Sequence, residues 1–223
     1  MSTKLFFQAI IKYLFGVLIV GALLFIPAGS FKYYDGWLFM GLLFIPMFIA
    51  GIIMMFKNPE LLRRRLDAKE KENEQKEVLI LSALMFIAGF IIAGFNYRYQ
   101  FFILPRIVVI ISSIIFLIAY LLYAEVLREN AYLLRTIEVE KNQKVVDTGL
   151  YGIIRHPMYT ITIILFLLMP LILGSLPSLI IFLIYPFIII KRLLNEEKVL
   201  EQDLDGYKEY EKKVKYRLIP YIW

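Results

Sequence analysis

Residues 158–190 read MYTITIILFLLMPLILGSLPSLIIFLIYPFIII, a run of 33 positions without a charged side chain. Written as one helix it would reach ~50 Å, well beyond the ~30 Å of hydrocarbon in a bilayer. Pro170, Gly174, Ser175 and Pro177 sit near its middle. Proline removes a helical donor and the Gly-Ser pair favours a turn. The run therefore predicts a tight helical hairpin with arms 158–173 and 176–190. Each arm is only ~22–24 Å long, so the arms extend further or one end lies shallow in the interface.

Four more charge-free runs precede the hairpin, at 13–31, 36–56, 78–97 and 107–124. Each is close to the ~20 residues of a membrane-crossing helix. The first lacks a small-x-small cleavage pattern and reads as a span rather than a leader. The expected fold class is all-α: a polytopic bundle of about six membrane segments, ending in the hairpin. Composition agrees. Residues AVILMFWYC make up 60% of the 223 positions, against ~45–50% in a soluble domain even with glycine counted. Mean hydropathy is +0.70. A core of this length cannot hide so much apolar surface, and a disordered or collagen-like chain is excluded.

Charge fixes the expected orientation. Net charge is +6, which in a membrane protein reads as basic cytosolic loops facing anionic lipid rather than nucleic-acid binding. With a cytosolic N-terminus, connections 28–35, 97–106 and 174–177 face outward and hold only Lys32, Arg98 and Arg106. That leaves 22 of the 25 basic residues inside. Both termini are then cytosolic. Tyr33, Tyr34, Trp37, Tyr97 and Tyr99 fall where interfacial aromatics are expected. The alternating Lys/Glu stretch within 57–77 reads as a solvated helix face. The apolar end around Leu218, Ile219, Tyr221 and Trp223 reads as a tail docking back on the membrane surface or the bundle.

The absence of cysteine, with His156 the single histidine, leaves no thiolate nucleophile and no His/Cys metal set. The first four spans carry no Asp/Glu/Lys relay and no paired broken helices, which argues against a coupled transporter. Asn96 and Ser112-Ser113 are their main polar residues and read as packing.

Polar information concentrates at the two ends of the hairpin. Before it stands TGLYGIIRHPMY, residues 148–159. Gly149 and Gly152 permit positive φ or close backbone approach. Pro157 pushes His156 out of the helical region and opens a helix whose first N–H groups are free for an anion. Arg155, His156, Tyr151 and Tyr159 then surround one spot at the membrane edge, although Arg and Tyr also serve there as plain interfacial anchors. After the hairpin stands KRLLNEEKVL, residues 191–200. Arg192 and Glu196, four apart, share a helix face, either as part of a site or as an ordinary exposed pair. Two ends of one hairpin are neighbours, so the clusters meet.

Taken together, Gly149-x-Tyr151, Arg155-His156-Pro157-x-Tyr159, an apolar hairpin, Arg192-x-x-x-Glu196-Glu197-x-x-Leu200, Tyr207, Tyr210 and Ile219-Pro220 resemble the isoprenylcysteine carboxyl methyltransferase family, in a short, prokaryotic-type form. Phospholipid N-methyltransferases share much of the pattern. The resemblance covers roughly the last 90 residues. The charge-free runs give four spans in 1–130 with a charged cytosolic loop at 57–77, and the resemblance implies an S-adenosyl-L-methionine-binding catalytic region in 131–223. It implies cofactor contacts at Gln143, Lys144, Val145, Val146, Tyr151, His156, Pro157, Met158, Tyr159 and Glu196, with Thr136 a further candidate upstream. Arg192 falls on a substrate-carboxylate position, and Arg192 with Glu196 are the implied catalytic pair. No metal and no nucleic acid are implied. The implied partners are membrane lipids and a lipophilic acceptor entering from the bilayer, in a prokaryotic cell membrane.

The residue types suit that chemistry. Methyl transfer from a sulfonium needs neither metal nor covalent nucleophile, because the cofactor brings the electrophile. A carboxylate acceptor is already ionised and needs a guanidinium to position it. An amine acceptor must first lose a proton, for which Glu196 or Glu197 is at hand. A third reading, an NADPH-dependent sterol-reductase-like enzyme, rests on the similar tail KVKYRLIPY, but no Gly-rich dinucleotide fingerprint accompanies it. A non-enzymatic membrane scaffold or a transporter is the fourth.

Overall fold

The computed structural model describes residues 3–67, 73–130, 132, 139 and 143–223, apart from the side chains of residues 64 and 73–75. The described residues form helices without a strand, joined at one point by an isolated bridge between Ile103 and Ser175. Helices α1 (Thr3–Ala28), α2 (Tyr34–Lys57), α4 (Asn73–Tyr99) and α5 (Arg106–Glu129) correspond to the four runs, extended into their polar flanks. Between α2 and α4, the short α3 (Pro59–Asp67) carries part of the charged stretch. The hairpin's first arm is α6 (Pro157–Ile172).

The second arm departs from expectation. It is broken into α7 (Leu176–Phe182) and α8 (Tyr185–Asp203) by a turn at Leu183 and Ile184. Pro186 is the physical cause: it has no N–H for the Phe182 carbonyl, and its ring would clash there. Beyond the break α8 runs without interruption past Ile190 and carries Arg192 and Glu196 out of the apolar zone. Among the described residues, five segments are long and apolar enough to cross a membrane, α7 and α8 counting together as one, and α6 is a shorter apolar helix. Their outward faces are exposed Leu, Ile and Phe, as on α1 at Phe7, Ile11, Leu14 and Leu18. That is the surface hydrocarbon requires.

Polar groups inside the bundle are satisfied locally. Asn96 exchanges two hydrogen bonds with the Phe102 backbone, at 3.0 and 3.1 Å. Ser113 bonds back to the Val109 carbonyl at 2.7 Å, and Ser178 reaches Gly89 at 2.8 Å. Helices α1 and α4 touch because Gly94 has no side chain; a Cβ there would lie 2.5 Å from the Leu24 carbonyl.

At one end of the bundle the three sparsely charged connections meet. Tyr33 donates to the Leu173 carbonyl at 2.7 Å, Leu104 N–H to Gly174 at 3.2 Å, and Arg106 pairs with Asp35. At the other end Lys191 pairs with Glu77 at 2.6 Å, Lys12 bonds the Leu66 carbonyl, and the C-terminal tail folds back. The tail docks on the bundle: Arg155 and His156 N–H donate to the carbonyls of Tyr216 and Arg217 at 2.9 and 3.0 Å, and Thr160 donates to Leu218 at 2.8 Å.

Candidate active site

A short 3₁₀ turn, Gly149–Gly152, leads into the site. Gly149 adopts φ +51°, and the Glu129 carboxylate at the end of α5 lies against it. A Cβ would come within 2.3 Å of both carboxylate oxygens and displace the end of the Glu129 side chain, and the positive φ itself calls for glycine. Thr148 donates to the same carboxylate at 2.9 Å. The turn delivers Tyr151 inward. His156 follows as the residue before α6, at φ −125° and ψ 60°, outside the helical region as its proline neighbour demands.

One cavity is framed by these elements and α8. Its wall includes Gln143, Lys144, Val145, Val146, Tyr151, His156, Met158, Tyr159, Arg192 and Glu196. Nearly every site residue expected from the sequence is thus gathered around one space. Pro157 is the exception among the described residues: it is fully buried under the first turn of α6 and off the cavity wall. Thr136 lies outside the described residues. On α8 the lining positions are Arg192, Glu196, Val199 and Leu200, spaced i, i+4, i+7 and i+8 as one helical stripe.

The Tyr159 hydroxyl joins the two charged members of that stripe. It accepts from Arg192 Nε at 3.1 Å and donates to Glu196 Oε2. The His156 ring stacks on Tyr159 with centroids 5.7 Å apart. Tyr210 closes the far side by donating to the Tyr151 carbonyl at 2.7 Å. The hydroxyls of Tyr151 and Tyr207 are buried without a hydrogen-bond partner among the described residues. Burial holds the Tyr151 and Tyr210 hydroxyls above the ordinary phenol range, so both remain protonated.

Glu197 has a different job from Glu196. Successive helical residues point about 100° apart, and Glu197 faces the tail instead of the cavity. It is 2% exposed and is met by Arg155 Nη2 at 2.8 Å, Arg217 Nε at 2.7 Å and His156 Nε2 at 3.1 Å. The Arg155 side chain also reaches Glu211 at 3.4 Å, and burial keeps the Glu211 carboxyl above its usual range against the pull of Arg155. Arg217 in turn covers the Trp223 ring at 5.2 Å. One buried carboxylate therefore locks the loop before α6, helix α8 and the tail together. His156 spends one ring nitrogen on this lock, while its ring stays on the cavity wall.

Sequence reasoning did not find Glu197's role, nor Asn130, Tyr132, Leu204 and Tyr207 on the wall. The one available signal was the Glu-Glu doublet: adjacent residues on a helix cannot both face one cavity.

Residues 105–204 match the family model for phospholipid methyltransferases. The matched stretch holds α5 to α8 with the turn and loop between them. Helices α1 to α4, Tyr207 and the locking tail lie outside it. Comparison with curated proteins gave no match.

Proposed function

We propose that this cavity binds S-adenosyl-L-methionine, and that the chain transfers its methyl group to the carboxylate of a lipophilic acceptor at the cytosolic membrane face. The observation that carries the reading is the convergence of Tyr151, His156, Tyr159, Arg192, Glu196 and 143–146 on a single cavity at the base of the hairpin. The residues fit such a ligand. Val145, Leu200 and Leu204 give an apolar wall, Glu196 a carboxylate, and Tyr151 a buried hydroxyl whose partner a ligand would supply. When bound, the cofactor supplies an activated methyl group on a sulfonium.

The chain's own residues then have three tasks. Tyr159 holds Arg192 and Glu196 at fixed positions on α8, so neither needs to reorganise. Arg192, at the cavity wall, presents a planar fork that orients a carboxylate for in-line approach. The apolar wall and the hairpin keep water low around a charge that disappears during the reaction.

An amine acceptor is the second reading, and the family match to phospholipid methyltransferases favours it specifically. Glu197 is spent on three cationic or N–H donors, so Glu196 would be the group that takes the ammonium proton.

Substitution of Arg192 tests the choice. Arg192→Lys keeps the charge and loses the fork. With a carboxylate acceptor, turnover falls about ten-fold or more while cofactor affinity stays nearly intact, and the labelled lipid product is base-labile. Near-normal turnover in Arg192→Lys and Arg192→Ala, with a base-stable product, moves the acceptor to the amine class.

A further inference from the structure

Tyr132, Tyr151, Tyr159, Tyr207 and Tyr210 line the cavity, and the hydroxyls of the last four are treated differently. Tyr159 and Tyr210 have partners within the protein. Tyr151 and Tyr207 have none among the described residues. Tyr207, at the start of α9 (Tyr207–Lys213), is only 4% exposed, so its hydroxyl has given up water with no return from the described residues. Buried polar groups are almost always paired, so an exception on the wall of a cavity is a candidate for a bond completed from the cavity.

The surroundings say which part of a ligand it meets. Tyr207 packs in one apolar cluster with Leu204, Val145 and Leu200, a wall whose chemistry suits a purine. Burial first, then the nearby carboxylates of Glu197 and Glu196, push its hydroxyl above the ordinary phenol range. It therefore stays protonated and is available both to donate and to accept. A carboxylate such as Glu196 is the usual acceptor for a ribose hydroxyl.

We propose that the Tyr207 hydroxyl is a ligand-binding group of this cavity that hydrogen-bonds the adenosine end of the cofactor, while Tyr210, one turn later, is a structural tie. The proposal rests on the cofactor reading above and adds to it a contact from α9, an element the motif pattern did not place in the site.

Two nucleoside probes and two variants test it. Equilibrium binding of S-adenosylhomocysteine and of 5′-methylthioadenosine is measured on the full-length, detergent-solubilised wild type, Tyr207→Phe and Tyr210→Phe, with thermal melting of each ligand-free protein. Tyr207→Phe weakens both ligands by the same factor, about three- to ten-fold for one neutral hydrogen bond. Its ligand-free melting temperature is unchanged or raised, because the deleted hydroxyl had no partner to lose. Tyr210→Phe instead lowers the ligand-free melting temperature, since it strands the Tyr151 carbonyl. Unchanged affinities in Tyr207→Phe, or a lowered ligand-free melting temperature, overturn the proposal. A loss confined to S-adenosylhomocysteine, or a wild type that does not bind 5′-methylthioadenosine, overturns the adenosine placement. A wild type that binds neither probe overturns the cofactor reading itself.

Discussion

Glu196 and Glu197 are chemically identical neighbours that the fold assigns to different work. Glu196 stands on the cavity wall and accepts from Tyr159. Glu197 is buried among Arg155, His156 and Arg217. Removing one partner of a buried ionic cluster leaves the others uncompensated, typically at a cost of about 3–5 kcal/mol. Glu197→Gln is therefore expected to lower stability by that order and to release the tail, seen as a fall in melting temperature and new proteolysis after Val214. Glu196→Gln should leave melting within about 1 kcal/mol of wild type and weaken S-adenosylhomocysteine binding by about ten-fold or more. Equal destabilisation by both substitutions would mean that Glu196 belongs to the lock and not to the cavity. The sequence made Glu196 legible through its four-residue spacing from Arg192. Glu197 was hidden because its partners are Arg155, 42 positions away, and Arg217, 20 positions away in a tail with no fixed register to the hairpin.

At the scale of elements, what was legible followed local rules. Charge-free runs located α1, α2, α4 and α5, and the Pro/Gly cluster located the turn after α6. The shortness of the second arm called for an extension, and α8 continues past the apolar zone through a stretch without Pro or Gly after Ile188. The split between α7 and α8 was missed although Pro186 signals it, because an all-apolar run hides a break that costs no polar exposure. Docking of α9 and the tail was legible only as an apolar ending, not as a set of partners. The sidedness of these helices is open to direct test. Connections 28–35, 97–106 and 174–177 meet at one end of the bundle, and they hold three of the 25 basic residues. Reporter fusions after Asp35 and after Arg98 should read as external, and fusions after Asp67 and Lys144 as internal. A cytosolic signal at Asp35 would invert the bundle and place the cavity away from the cytosolic cofactor supply.

For the whole molecule, the arrangement amounts to a lipid-facing bundle with one polar chamber at an end. The hairpin of α6 to α8 brings Tyr159 and Arg192, 33 residues apart, into contact at the chamber, and the tail fastens the two segments there through Glu197. On the proposed function, the chamber holds an S-adenosyl nucleoside. Isothermal titration of the purified, detergent-solubilised protein with S-adenosylhomocysteine and, separately, with NADPH tests it most directly. Saturable one-to-one binding of S-adenosylhomocysteine, displaced by S-adenosyl-L-methionine, is expected, with no heat of binding for NADPH. Saturable NADPH binding with none for S-adenosylhomocysteine would contradict it and make the chain a reductase.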